Sequence, residues 1–138
     1  MHEMHSGVQV VEEVPGSGAA VERRHVYRIR LRLWLLDGEP VRWRAAWGPV
    51  GKAALEDDGR TLLTEVRLDR RLINGLFYGM EGMRVGGTRR LRISAHMAYA
   101  SRRVPGSVPP DAGLVAEVTV LDEQPWPPRP APEAGPRT

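Results

Sequence analysis

Between residues 26 and 36, apolar and polar side chains alternate, and this pattern constrains the fold of the 138-residue chain more than any other feature. The apolar positions are Tyr27, Ile29, Leu31, Leu33 and Leu35, and the positions between them are Arg28, Arg30, Arg32 and Trp34. Successive side chains of a β-strand point to opposite faces, so a period of two predicts a strand with one buried face and one wet, basic face. A turn at Asp37 and Gly38 ends the strand.

Shorter segments repeat this period, and one segment has helical spacing instead. Further strands are predicted from Val8 to Val11, from Leu62 to Leu68, from Arg90 to Ser94 and from Leu114 to Val120. A short helix is predicted from the apolar positions Leu72, Ile73, Leu76 and Phe77, and Gly79 and Gly82 end it. Residues 39–60 show no clear period. The sequence therefore predicts several strands and one short helix.

The length of 138 residues fits one compact domain, and the composition divides the chain into three parts. Residues 1–7 are polar and are expected to be flexible, and residues 8–122 are expected to form the domain. Six of the twelve prolines fall within residues 123–138, so this tail is expected to be disordered and extended. No signal peptide or membrane-spanning stretch is recognised, which predicts a cytoplasmic protein that does not bind membranes.

Composition and spacing exclude several kinds of chemistry. The chain has no cysteine, so it cannot use a thiol nucleophile or a cysteine-based zinc site. No nucleophile elbow or phosphate-binding loop is present, and His2 and His5 are three residues apart rather than four, as a helical zinc motif requires. His25 and His96 are interpreted as ordinary surface residues. Covalent, metal-assisted and acid–base catalysis are therefore poorly supported, and no cofactor is expected.

The positive charge gives little support to nucleic-acid binding. The formal net charge is only +3, from 20 cations and 17 carboxylates. Nucleic-acid recognition favours cations gathered on one face, whereas the arginines of this chain are spread over most of its length. We interpret most of them as solvated surface residues, with a protein-binding basic face as the alternative.

The stretch from Leu72 to Leu121 resembles the FKBP family of peptidyl-prolyl cis-trans isomerases. It carries the sequence LINGLFYGMEGMRVGGTRRLRISAHMAYASRRVPGSVPPDAGLVAEVTVL, which is similar to the family's floor helix, glycine turn, central strand, tyrosine loop, proline tip and closing strand. A weaker resemblance extends back to residue 8. The resemblance as a whole implies an α+β fold in which a twisted antiparallel half-barrel sheet wraps around one short helix.

The resemblance also implies a proline-binding pocket between helix and sheet. Catalytic roles are implied for Tyr99, Ile73 and Leu76, and substrate contacts for Leu31, Val41, Leu72, Val108, Pro109 and Ala116. Several of these residues depart from the family. Leu76 stands where the family has tryptophan, and Leu31, Val41 and Ala116 stand at aromatic positions, so the pocket has less aromatic surface.

An enzyme of this kind needs no ionisable group. Rotation about an X-Pro bond is slow because the twisted transition state loses amide resonance, and an apolar cavity shaped for the twisted amide lowers that barrier. The resemblance therefore implies isomerase activity on proline-containing polypeptides without a cofactor, with a role in protein folding. The alternative is a catalytically weak or inactive chaperone module that uses the same scaffold to bind a protein partner.

Overall fold

The computed structural model of the chain describes residues 2–5, 7–41, 53–55, 61–69, 74–97 and 113–125. Their elements are β1 (His2–His5), β2 (Val8–Val14), β3 (Val26–Leu35), β4 (Ala53–Leu55), β5 (Leu62–Arg67), helix α1 (Asn74–Gly79), β6 (Thr88–Ile93), a 3₁₀ turn (Ala95–Met97) and β7 (Leu114–Gln124). The strands join in one sheet in the order β1-β2-β6-β7-β3-β5-β4, and every pairing is antiparallel.

Strand β7 lies at the centre of the sheet, between β6 and β3. Its register with β3 runs from Leu35 opposite Leu114 to Val26 opposite Gln124, with one irregularity beside Arg28 and Ile29. This register brings the apolar faces of both strands to the same side. The core-facing side chains of the sheet include Tyr27, Ile29, Leu31 and Leu33 of β3, Leu62 and Val66 of β5, Leu91 and Ile93 of β6, and Leu114, Val118 and Val120 of β7.

The opposite face of the sheet is wet, as the alternation in β3 predicts. Arg28 and Arg30 are exposed there. The guanidinium of Arg28 lies 2.7 Å from the Asp122 carboxylate of β7, and that of Arg90 lies 3.3 Å from Glu117 of the same strand. Acidic residues of β7 thus offset part of the positive charge that the sequence places on this face.

Helix α1 covers the apolar face with one and a half turns. Leu76, Phe77 and Met80, at and just after the helix, are buried in the core. Gly79 makes a close approach possible, because a Cβ there would lie 2.5 Å from Leu91 Cδ1 of β6. Gly82 follows with φ of +84°, a conformation that suits the end of a helix. Within the described ranges, no helix is long and apolar enough to cross a membrane.

The structure confirms the predicted fold class and all five predicted strands, and it differs from the sequence analysis at three places. Residues His2–His5 form β1, although a flexible end was expected, because their backbone pairs with β2. The aperiodic stretch 39–60 contains β4, which pairs with β5. Strand β7 continues to Gln124, two residues beyond the predicted edge of the domain. The division into a domain and a disordered tail stays a prediction.

Candidate functional site

Four of the predicted pocket residues lie within the described part of the chain, and they come from four different elements. Leu31 is in β3, Val41 follows the turn after β3, Leu76 is in α1, and Ala116 is in β7. All four belong to one hydrophobic cluster, and each has 0% of its surface exposed. The topology therefore gathers the predicted floor and wall positions into a single apolar cluster.

The turn after β3 brings Val41 back to the core. Gly38, with φ of +95°, donates its backbone N–H to the Leu35 carbonyl at 2.9 Å. The Leu35 amide donates to the Glu39 carbonyl at 2.8 Å, and the Val41 amide donates to the Leu33 carbonyl at 2.9 Å. The chain thus folds back along the end of β3, and the Asp37–Gly38 turn predicted from the sequence is confirmed.

Ala116 occupies the middle of the sheet, where its small side chain meets two strands. It lies opposite Leu33 of β3 and opposite Leu91 of β6. A large aromatic wall is absent at this position, and the leucines on either side are themselves buried. The described part of the predicted pocket is consequently aliphatic and closely packed, with no titratable group.

The other predicted site residues lie outside the described ranges. These are Leu72, Ile73, Tyr99, Val108 and Pro109. Their roles stay predictions. The described residues therefore include the predicted floor residue Leu76 and the predicted wall residue Ala116, whereas the predicted hydrogen-bond donor Tyr99 and the overhanging loop lie outside them.

One buried polar residue beneath the helix was missed. Arg89 of β6 has 5% of its surface exposed, so it is an exception to the interpretation of most arginines as solvated surface residues. Its Nε donates to the Glu13 carboxylate at 2.8 Å, and its NH1 donates to the carbonyls of Gly79, at 2.9 Å, and Glu81. The last carbonyls of a helix lack partners within the helix, so Arg89 caps α1 and holds its end against β6. The alternation of β6 is the sequence signal for this burial, because residue 89 shares a face with the apolar residues 91 and 93.

A second polar cluster lies at the start of β3, remote from the predicted pocket. The backbone N–H of Glu22 donates to the Tyr27 hydroxyl at 2.7 Å, and the Glu123 carboxylate neighbours the same phenol. The His25 ring lies 3.1 Å from Glu123 through Nδ1 and 3.7 Å from Glu22 through Nε2. Burial raises the pKa of the Tyr27 phenol above its ordinary value of 10.0, and the neighbouring Glu123 and Glu22 carboxylates add to the shift.

Comparison with known proteins identifies the family of this chain. Residues 51–121, about half of the chain, match the family model of FKBP-type peptidyl-prolyl cis-trans isomerases. The chain belongs to this family. The matched region includes the predicted floor helix, the tyrosine loop and most of strand β7, so it contains the whole stretch from Leu72 to Leu121 that resembles the family.

Individual relatives match the chain over parts of their length. The chain is 46% identical over 52 residues to peptidyl-prolyl cis-trans isomerase FPR2 of Saccharomyces cerevisiae, covering 38% of each protein. It is 33% identical over 109 residues to peptidyl-prolyl cis-trans isomerase FKBP10 of Bos taurus, covering 78% of this chain and 19% of that protein. The chain therefore spans well under half the length of these curated relatives.

The fold is also similar to that of solved structures. FkpA from Escherichia coli superposes with a TM-score of 0.60 at 29% identity, over 86% of this chain and 47% of that one. This likeness and the antiparallel sheet packed against one short helix agree with the fold that the sequence predicts.

Proposed function

We propose that this chain is a peptidyl-prolyl cis-trans isomerase that acts on X-Pro bonds of polypeptides without a cofactor. The observation that carries the proposal is the convergence of Leu31, Val41, Leu76 and Ala116 in one apolar cluster, within a chain of the FKBP-type family. FPR2 and FKBP10 carry the name of this activity, which supports the same assignment here.

The chemistry fits an apolar site without titratable groups. An apolar surface that excludes water disfavours the polar, planar amide relative to the twisted transition state. Fixed hydrogen-bond donors orient the ligand, and the predicted donors are a backbone amide of the Leu72–Ile73 pair, which binds the ligand carbonyl, and the Tyr99 hydroxyl. Leu72, Ile73, Val108 and Pro109 complete the proposed pocket around the described floor.

A second candidate function is a catalytically weak module that binds protein partners as a chaperone. The full burial of Leu31, Val41 and Ala116 supports it, because these positions are aliphatic and already in contact with the core. A role in protein folding suits either candidate. The cytoplasmic location stays a prediction.

An isomerase assay on a short X-Pro peptide tests the proposal. The full chain should accelerate the approach to the trans isomer in proportion to its concentration. Tyr99→Phe should reduce binding of the proline peptide by about 0.5 to 1.5 kcal/mol, the net contribution of a neutral hydrogen bond. Because Tyr78 is half-buried at the end of α1, Tyr78→Phe serves as a matched control that should leave the rate unchanged.

The two candidates predict different results in this assay. Rates equal to those in buffer, together with retained binding of unfolded polypeptides, would replace the isomerase by the chaperone module. An unchanged affinity of Tyr99→Phe for the peptide would show that the site is placed wrongly.

A further inference from the structure

A cleft of about 370 Å³ opens at the end of β3 opposite the predicted proline pocket. We call it the basic cleft, and it is lined by Arg23, Arg24, His25, Arg67, Glu123 and Gln124. It forms where β3 begins and where β5 and β7 end. At about 3.3 Å per residue, the six residues from His25 to Leu31 place it about 20 Å from the pocket wall.

The lining carries three guanidinium groups and one carboxylate. Arg23 lies 3.2 Å from Glu81, and Arg67 lies 3.5 Å from Asp69, so carboxylates behind the lining offset two of the three charges. Arg24 differs. Its side chain is exposed and has no hydrogen-bond or ion-pair partner among the residues that the structure describes. The cleft therefore holds one uncompensated guanidinium beside two others.

The single carboxylate in the lining is already engaged. The Glu123 carboxylate lies 3.1 Å from His25 Nδ1, beside the Tyr27 phenol. One of its oxygens therefore contacts a side chain of the protein. An anion entering beside Arg24 would meet less repulsion than the composition of the lining suggests.

The backbone that presents Arg24 is fixed before any ligand arrives. The Arg24 amide donates to the Leu68 carbonyl at 2.8 Å, and the Leu68 amide donates to the His25 carbonyl at 2.9 Å. The Arg67 Nε donates to the Arg24 carbonyl at 3.3 Å. Arg24 has φ of +71° and is the one non-glycine residue with a positive φ in the described part of the chain.

This conformation is costly for a residue with a side chain, and such strain is found preferentially at binding and catalytic sites. A rigid loop also lowers the entropy lost when a ligand binds. Strain, an uncompensated charge and a fixed backbone therefore coincide at Arg24.

We propose that the basic cleft binds an oxyanion, a phosphate or a carboxylate, carried by a polypeptide. Guanidinium groups hold the oxygens of both anions through pairs of N–H donors. A volume of about 370 Å³ falls in the size range of sites for small organic ligands, so it accepts a side chain with its adjoining backbone rather than a bare ion. Gln124 also lines the cleft, and its Nε2 donates to the Asp122 carboxylate.

Fluorescence anisotropy with labelled nine-residue peptides tests this site on the full chain. The probes are built of glycine and serine around a central phosphoserine, aspartate or unmodified serine. They contain no proline, so the result does not depend on the proposed isomerase pocket. At low salt the phosphoserine and aspartate peptides should bind at least tenfold more tightly than the serine peptide, and added salt should weaken both. Inorganic phosphate should compete only at concentrations well above that of the phosphoserine peptide.

The variant Arg24→Gly separates binding from folding. Glycine adopts a positive φ without strain, so the variant should fold at least as well as the parent while losing tenfold or more in affinity for the phosphoserine peptide. Arg24→Lys should retain part of the affinity. Arg92→Gln is the matched control, because Arg92 is exposed on the outer sheet face and its loss removes the same charge elsewhere. It should change the affinity less than twofold.

Three outcomes would overturn the proposal. Equal affinity for the phosphoserine, aspartate and serine peptides would show that the cleft does not recognise an oxyanion. Equal losses in Arg24→Gly and Arg92→Gln would assign the effect to overall charge. Displacement of the phosphoserine peptide by an equal concentration of inorganic phosphate would mean that a free ion, and not a polypeptide, occupies the cleft.

Discussion

The two ends of β3 contrast in chemistry although they belong to one strand. At the end toward Leu31 and Leu33, aliphatic side chains from α1 and β7 fill the space, and none of the four described pocket positions is exposed. At the other end, His25 and Tyr27 form a polar network with Glu22 and Glu123, beside an open cleft. The comparison shows that the same scaffold can carry a packed apolar region and a preorganised polar region without a change of fold.

The largest expected effect lies at the apolar end, in Leu76→Ala. The side chain is fully buried under the sheet, so its truncation should lower the free energy of unfolding by about 3 to 5 kcal/mol through lost burial and a residual cavity. Urea unfolding measures this loss. Leu76→Met, which nearly conserves volume, is the control and should cost less than about 1.5 kcal/mol. A small effect of Leu76→Ala would mean that the floor of the proposed pocket is loosely packed.

Arg89→Met tests whether the apolar end depends on its one buried cation. The change leaves the Glu13 carboxylate and the carbonyls of Gly79 and Glu81 without their donor. It should cost about 2 to 3 kcal/mol, because Glu13 is partly exposed and can recover water. Arg89→Lys keeps the charge and should recover part of the loss. The same urea unfolding measures both variants, and equal stability of Arg89→Met and the parent would refute the capping role.

Tyr27→Phe addresses the polar end. At neutral pH the loss of the hydroxyl should cost about 1 kcal/mol, because the Glu22 amide loses its acceptor. The pKa of Tyr27 is raised in the folded state, so its stabilising contribution is complete below the ordinary value of 10.0 and falls as the pH rises above it. The stability difference between parent and variant should therefore shrink above a pH of about 10. A constant difference measured by urea unfolding across that range would contradict the raised pKa.

The smallest expected effect on stability is that of Arg24→Gly. Glycine relieves the strain of the left-handed backbone, which stabilises the fold, but it also has more freedom in the unfolded chain, which destabilises the fold. Because these effects oppose each other, the free energy of unfolding should rise by less than about 1 kcal/mol. Thermal unfolding measures it, with Arg23→Gly as the comparison, since glycine has no such advantage at a residue with an ordinary φ. A marked loss of stability in Arg24→Gly would show that the arginine is kept for folding rather than for binding.

The sequence predicts the apolar end of β3 much better than the polar end of the same strand. The alternation from Tyr27 to Leu35 predicts which face of β3 is buried, and the structure confirms it. The resemblance to the family predicts one pocket for Leu31, Leu76 and Ala116, and these residues lie in one buried cluster, whereas their role in a pocket stays a prediction. Strand β4 was missed because three residues give no readable period. Strand β1 was missed because its pairing comes from contact with β2 and not from its own polar sequence.

The basic cleft could not be predicted from local patterns at all. Its residues come from three segments that are distant in sequence, the loop before β3 and the ends of β5 and β7, and only the pairing of these strands brings them together. Hydrogen bonds of the Arg24 backbone with Leu68 and Arg67 hold its left-handed conformation. A sequence pattern does not predict such hydrogen bonds. Arg89, by contrast, shares a face of β6 with Leu91 and Ile93. The alternation along this strand is therefore a sequence signal for its burial.

The central place of β7 has a consequence for biosynthesis. Among the strands that the structure describes, β3 and β6 are joined in the sheet only through β7, which follows both of them in the sequence and is therefore synthesised after them. Until that segment emerges, two half-sheets with open apolar edges must remain apart, exposed to self-association. The described sheet therefore becomes continuous only when β7 has been added, and a premature stop before residue 114 should yield an insoluble product rather than a smaller working one.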